Sequence, residues 1–419
     1  MSQIHLPLSA HSNSFDALQN IKVLDLSTSI AGPYGCQLLA DFGAEVIKIE
    51  KPIGGDDSRA WGPPFLNNES LWYLSVNRNK SSVVIDMTQP EGRRLLEKLV
   101  AQADVLVTNF LPKVQKKLEV DAAHLHQINP QLIHISLTGF GLEGERSSFA
   151  CYDLIAEGYS GVMDMTGEID QDPQKIGTPA ADLLAGMDLA IATMAALIKR
   201  SRDRHGHSID IAMVDSMTRF MTPRLISYLG SGALPRRDGA KESVIAIYQV
   251  FQTLDEPITL GLGNDAIWKR FWTALNEPNF ILNGPYQSNV DRRQHRQELV
   301  SLIQDRLKMR PRNDWLKLFQ ANNIPAGPIN RLDQISSDPE MLKRGMFYAV
   351  PKDGVVIPQV GLGIQIDGEQ SFCHKPPPSL GEDTSNVLRD WLNFSSDDID
   401  QLLEHKIIYN TLSTIKGES

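Results

Sequence analysis

"IKVLDLSTSIAGPYGCQLLADFGAEVIKIE", residues 21–50, decides the fold class. Its first seven residues form a short apolar run closed by Ser27 and Thr28, the pattern of a buried strand. Residues 31–43 read as a helix, with Pro33 near its start and Gly43 just past its end. "AEVIKIE", 44–50, is a second apolar run of strand length. Strand, helix and strand at this spacing form the unit from which parallel sheets are built. The alternation continues downstream. Residues 81–87 read as a third strand, and 89–103 as a helix with Leu95, Leu96, Leu99 and Val100 on one face. Residues 104–110 and 132–141 read as further strands. An α/β fold with a parallel sheet follows, and such sheets take ligands at the carboxyl ends of their strands.

The second half has another texture. Residues 207–229 run a strand-like start into a long helical pattern, and 244–253 and 256–264 read as antiparallel strands. "AIWKRFWTAL" and "QELVSLIQDRLKM" are amphipathic helices, "EPNFILNGPYQSNV" reads as loop, and "NNIPAGPIN", 322–330, as a turn or linker. The tail returns to an apolar run, "VIPQVGLGIQI", and a last helix. The layout predicts a large domain from residues 1–205 and 330–419, with a linker helix and small α/β domain over 206–329 between its two parts.

A chain of 419 residues is long for one core, since domains usually run ~100–200 residues. The formal net charge of -10 argues against non-specific binding to nucleic acid or an anionic membrane. Cys36, Cys151 and Cys373 lie far apart with no metal-ligand spacing, so no metal site and a reducing compartment are expected. No stretch is read as a membrane span, and residues 1–15 lack the basic-then-apolar order of a signal peptide, so they read as a loose leader of a cytoplasmic protein.

Among residues that carry chemistry, Asp182 stands out. It lies in "GTPAADLLAG", directly before an apolar, small-residue-rich helix. Read alone, it is first a helix N-cap, whose carboxylate accepts backbone amides. The functional alternative is a nucleophile kept ionised by the helix start, with spare amides facing an oxyanion. Basic groups recur at strand boundaries: Lys51 and Arg59, Arg78 and Lys80, then Lys113, Lys116 and Lys117. On an acidic chain they point to an elongated anionic ligand. No dinucleotide fingerprint, P-loop, zinc-protease motif or nucleophile elbow is present.

Taken together, these stretches resemble the family III CoA-transferases, the CaiB/BaiF family that contains formyl-CoA transferase and carnitine CoA-transferase. The matching pieces are "VLDLSTSIAGPYGCQLLADFGAEVIKIEKPIGGD", "NRNKSSVVIDM", "PEGRRLLEKLVAQADVLVTNF", "ISLTGFGLEG", "GVMDMTGE", "GTPAADLLAG", "NNIPAGPIN" and "LGEDTSNVL", in family order. The resemblance implies a Rossmann-like large domain built from both termini, a smaller inserted domain, and a homodimer of interlocked chains. It implies that Asp182 is the nucleophile, passing through aspartyl anhydride and aspartyl-CoA thioester intermediates. An acyl-CoA, with succinyl-CoA a candidate donor, and a small carboxylic acid would be substrates, with no permanently bound cofactor. The CoA contacts it implies are Ile30, Ala31, Lys51, Ile85, Asp86, Met87, Thr88, Asn109, Phe110, Leu111, Lys117, Thr138, Gly139, Phe140 and Gly141. Two departures bear on specificity. Ile30 replaces a Gln of formyl-CoA transferase, and that enzyme's glycine-rich loop has no counterpart before "YQVFQT". Two alternatives stay open: an acyl-CoA racemase or epimerase of the same superfamily, and a catalytically silent CoA-binding protein. Tyr152 stands where the racemase histidine would be, beside Asp153.

Overall fold

The computed structural model describes residues 6–9, 15–282 and 284–411, so most of the expected leader lies outside the described residues. The chain divides into two compact units. One holds residues 1–162, 175–226 and 338–419, the other 163–174 and 227–337.

The large unit is built on a seven-stranded sheet. Six strands are parallel: β1 (Lys22–Asp25), β2 (Glu45–Glu50), β3 (Lys80–Ile85), β4 (Val105–Thr108), β5 (Ile133–Thr138) and β6 (His207–Ala212). Their spatial order is β3-β2-β1-β4-β5-β6, and β7 (Ile408–Tyr409) closes the β3 edge antiparallel. The order reverses between β1 and β4. In open α/β sheets the crevice at that reversal, outside the carboxyl ends, is where ligands bind.

Burial explains the apolar runs. Leu24, Ile47, Val83 and Leu106 form one core with Leu95, Leu96, Leu99 and Val100, the helical face expected from periodicity, and with Val387, Leu388 and Trp391 of the C-terminal part. A core sealed from sequence-distant segments keeps the carboxyl edge of the sheet in register.

The helix after β1, α1 (Ala31–Asp41), lies against the long helix α3 (Ala180–Asp203). Two glycines let them approach. A Cβ at Gly35 would sit 2.7 Å from the Gly186 carbonyl, and one at Gly186 would sit 2.6 Å from that of Ala31. No larger residue fits there without parting the helices. Between them in sequence lies α2 (Asp153–Ser160), and α4 (Met213–Phe220) follows β6.

Three expectations are corrected. The helix α3 has 24 residues, and an 18-residue window within it has a mean hydropathy of 1.7, so it is long and apolar enough by composition to cross a membrane, although no span was expected. Its Ala181, Ala185, Gly186, Leu189 and Ala190 are buried within the large unit, as in a core helix. Residues 207–212 belong to the large unit rather than to a linker, because they pair with β5 along its whole length. Ala326–Pro328, expected as turn, is a short antiparallel strand on Ile258–Leu260. Pro325 and Pro328 flank or end it and donate no amide, which keeps it short.

The small unit packs Tyr248–Phe251 antiparallel to Ile258–Gly261. Its core is aromatic, with Trp268, Phe271, Trp272, Trp315 and Phe319. The stretch expected as loop contains one short helix, Asn279–Leu282, and the start of another, Asn289–Gln294, which Ser288 begins through a capping box with Asp291.

Candidate active site

All the expected CoA contacts except Lys117, which lies in the last turn of the helix Pro112–Leu118, end or follow a parallel strand. Ile30 and Ala31 follow β1, Lys51 follows β2, residues 85–88 end and follow β3, Asn109 to Leu111 follow β4, and Thr138 to Gly141 end and follow β5. The structure therefore brings five sequence-distant segments to one edge of one sheet. At the β1/β4 reversal the two loops are tied reciprocally. Thr28 N donates to Asn109 Oδ1 at 3.1 Å, and Asn109 Nδ2 donates to the Thr28 carbonyl at 2.9 Å. Ser29 takes a left-handed φ of 73°, held by its amide donating to Asp56 Oδ1 at 3.0 Å. This strained, pinned loop delivers Ile30 to the edge.

Beneath the loop lies a buried charge network. Lys80 Nζ donates to Asp25 Oδ2 at 2.9 Å, to the Pro33 carbonyl at 2.8 Å and to Asn77 Oδ1 at 2.8 Å. Lys48 pairs with Asp56 at 2.8 Å and donates to the Ser27 carbonyl at 2.7 Å. Both lysines and Asp25 are fully buried. Burial alone would raise the Asp25 carboxyl, but Lys48, Lys80 and Ser27 outweigh it and hold Asp25 at about 2.

These contacts revise the expected anion sites. Lys80 is consumed by Asp25, and Arg78 lies buried in a bidentate pair with Asp41 at 3.0 and 2.6 Å. Arg59 forks onto Glu50 at 2.8 and 2.7 Å and lies over the Tyr73 ring. None of the three offers a free cation to a phosphate. Lys51, Lys113, Lys116 and Lys117 are exposed, with Lys51 paired to Asp57 at 2.6 Å. Ile85 and Met87 are buried in the apolar core, which leaves only their backbone for a ligand.

Asp182 lies on the first turn of α3 and lines a cleft of about 490 Å³ with Ile30, Trp61, Trp72 and Pro179. It is not the cap. Pro179 occupies that position, and the capping carboxylate comes from Asp153, the first residue of α2. Asp153 Oδ1 accepts from the amides of Ala181 at 2.8 Å and Asp182 at 3.3 Å. Those are the amides that the sequence reading left to an oxyanion. The low pKa expected for Asp182 is overturned for the same reason. Burial first, and then the Asp153 carboxylate beside it, push Asp182 up to about 7.

The neighbours reinforce this picture. Burial, and then the charges of Asp182 and Asp153, push the Cys151 thiol up to about 11, so it stays protonated and is no competing nucleophile. Glu157, buried one turn beyond Asp153, accepts from the Ile176 amide at 2.9 Å and so fastens the segment that leads into α3. Its other carboxylate oxygen is buried without a hydrogen-bond partner, and burial raises its pKa. Among the described residues, no group of three His, Cys, Asp or Glu is arranged to hold a metal ion.

Four residues of the cleft escaped the sequence reading: Trp61, Trp72, Leu154 and Lys175. Trp61 and Trp72 meet edge to face, with centroids 6.1 Å apart. The available signal was two of the chain's six tryptophans within one short Pro- and Asn-rich stretch.

The chain is similar to known proteins in both sequence and fold. Residues 18–384 match the sequence pattern described as CoA-transferase family III. The chain is 36% identical over 392 residues to a mouse protein named succinyl-CoA:glutarate CoA-transferase, covering 93% of this chain and 90% of that one. It is 38% identical to a succinate–glutarate CoA-transferase of Agrobacterium fabrum, covering 88% and 94%. A crystal structure of a CAIB/BAIF family protein from Brucella suis superposes with a TM-score of 0.79 at 35% identity, covering 89% of this chain and 99% of that one.

Proposed function

The chain belongs to CoA-transferase family III, and on that premise we propose that it moves CoA from succinyl-CoA to a small carboxylic acid of the glutarate class, with Asp182 as the nucleophile. The observation that carries this reading is the placement of Asp182: at the start of α3 it lines a cleft beside the carboxyl edge of a parallel sheet, while the cleft's other carboxylate, Asp153, is engaged by the first amides of that helix.

The Asp182 carboxylate attacks the thioester carbonyl, forming a mixed anhydride and releasing CoA thiolate. The thiolate attacks the aspartyl carbonyl and expels the donor acid, leaving an aspartyl-CoA thioester. The acceptor carboxylate attacks that thioester, forming a second anhydride and freeing the thiolate again. Thiolate attack on the acceptor's carbonyl yields the new acyl-CoA and restores Asp182. No water is consumed, and each difficult exchange is divided into two easier ones. The apolar wall from Ile30, Trp61 and Trp72 serves a purpose here, since anhydrides hydrolyse when wet. A carboxylate with a pKa near 7 is more basic, and hence more nucleophilic, than an ordinary aspartate.

For CoA itself, support comes from the five strand-end segments that converge on one edge, with Lys117 exposed and Lys51 exposed in a surface pair with Asp57 that a phosphate could replace. The assay is direct: succinyl-CoA and glutarate are mixed with the protein, and the thioesters are read by mass spectrometry. Glutaryl-CoA with released succinate is the expected result. Hydrolysis of succinyl-CoA, or no turnover across a panel of carboxylates, contradicts the reading.

The pH dependence follows from the anion being the reactive form. The first step, CoA release from an acyl-CoA, rises with pH through a midpoint near 7 and then levels. A flat profile from pH 5 to 8 argues against a raised Asp182 pKa.

The same reading includes a homodimer of interlocked chains. Its support on this chain is the outer face of α3, where Met187, Ile191 and Ile198 are exposed on an otherwise apolar helix. Sedimentation should give twice the 46.6 kDa of one chain, with no monomer released on dilution. A stable monomer contradicts interlocking.

A further inference from the structure

Resting on the transferase reading above, we propose that Lys175 binds the remote carboxylate of a dicarboxylic substrate, and that this lysine selects dicarboxylic over monocarboxylic acids. The cleft around Asp182 has two acidic side chains in its lining, Asp153 and Asp182, and Lys175 is its one cationic residue. An acid with a second carboxylate would enter against two like charges, which costs binding energy unless a cation meets it. An acid with an alkyl tail has no such need and would rest on Ile30, Trp61 or Trp72 alone.

The position of Lys175 is set by two anchors on its C-terminal side, although its ammonium is free to move. On the side of Ile176, the backbone is fastened by the amide bond to Glu157 Oε2 at 2.9 Å. Farther along, the segment enters α3, whose first amides are held by Asp153. Glu157 and Asp153 are one turn apart on α2, so a single short helix sets the distance between the base of Lys175 and the reacting carboxylate. The Lys175 ammonium itself donates to the carbonyl of its own neighbour, Ile176, at 2.9 Å in an exposed setting. Exchanging that neutral acceptor for a substrate carboxylate gives a charge-assisted bond of roughly twice the strength. A lysine stem suits the task, because its four rotatable carbons follow acids of different length while the charge stays a point.

The experiment compares acceptors at a fixed concentration of one donor, succinyl-CoA, so that effects on the donor cancel. The kcat/KM for glutarate is divided by that for butyrate. In Lys175→Met this ratio should fall about 10–100-fold, the worth of one hydrogen bond to a charged group. Lys175→Glu should drive it lower still, and Lys175→Arg should keep it within a few-fold of the wild type. A ratio unchanged in Lys175→Met overturns the proposal, and so does an equal loss for both acids, which is what a merely structural role would produce. If the wild-type protein transfers CoA to neither acid, the transferase reading itself fails. Transfer to both acids with an unaltered ratio in the variants defeats the Lys175 inference alone.

Discussion

Asp182→Asn should abolish CoA transfer, lowering kcat by at least about 10⁴-fold, the scale on which losing a covalent nucleophile is felt. An asparagine amide fills the same space but forms neither the anhydride nor the thioester. The fold should survive and even gain. Asp182 is raised to about 7 in the folded chain against 3.8 when unfolded, so folding disfavours its charged form. The resulting cost is absent below about pH 4, grows as pH rises toward 7 and is complete above it. Three pH units at 1.36 kcal/mol each set it at about 4 kcal/mol. Asp182→Asn removes that cost, so the variant should be more stable than the wild type at pH 8 and indistinguishable near pH 4. Urea denaturation at both pH values checks this. A variant that is inactive and also less stable at pH 8 would mean that Asp182 holds the fold rather than reacting.

Asp25→Asn should cost about 3–5 kcal/mol of stability, because it removes the anion that compensates two fully buried lysines. Lys80 would be left facing Asn77 and a carbonyl, with the Lys48 charge close by. Asp25→Asn combined with Lys80→Met should recover much of the loss, since a pair removed together leaves no unpaired charge. The sign with pH is opposite to that of Asp182. Asp25 lies at about 2 when folded and 3.8 when unfolded, so its stabilisation is full above pH 4 and fades as pH falls toward 2. Chemical denaturation of the single and double variants at pH 7 measures both effects. An additive double variant would mean that the two groups do not interact. The network also carries the loop that ends in Ile30, so the single variant should weaken acyl-CoA binding along with stability.

The parallel sheet was legible because its signal is local. The βαβ unit of residues 21–50 and the Leu95, Leu96, Leu99, Val100 face each sit within one short window, where periodicity reports burial directly. Asp182 was legible as a position, through its motif, but its environment was not. The carboxylate that caps its helix and raises its pKa lies 28 and 29 residues from the amides it accepts, and no window contains both. The basic residues failed for a related reason. A charge in a sequence does not state its partner: Arg78 finds Asp41 37 residues earlier, and Lys80 finds Asp25 55 residues earlier. Exposed and buried lysines read alike until the fold buries one set. Trp61 and Lys175 were missed because they lie outside regular helices and strands, and Trp72 because its helix, Leu71–Ser75, is only five residues long; tertiary packing rather than pattern brings all three to the cleft.

Covalent capture at Asp182 decides the matter most directly. The protein is incubated with succinyl-CoA and no acceptor, quenched with hydroxylamine and digested with trypsin. Cleavage after Lys175 and Lys199 isolates Asp182 in a peptide of residues 176–199. The anhydride–thioester mechanism predicts an aspartyl hydroxamate at Asp182 in that peptide, present only when acyl-CoA was supplied. An unmodified peptide from protein that is turning over, or a hydroxamate on another residue, would contradict Asp182 as the nucleophile.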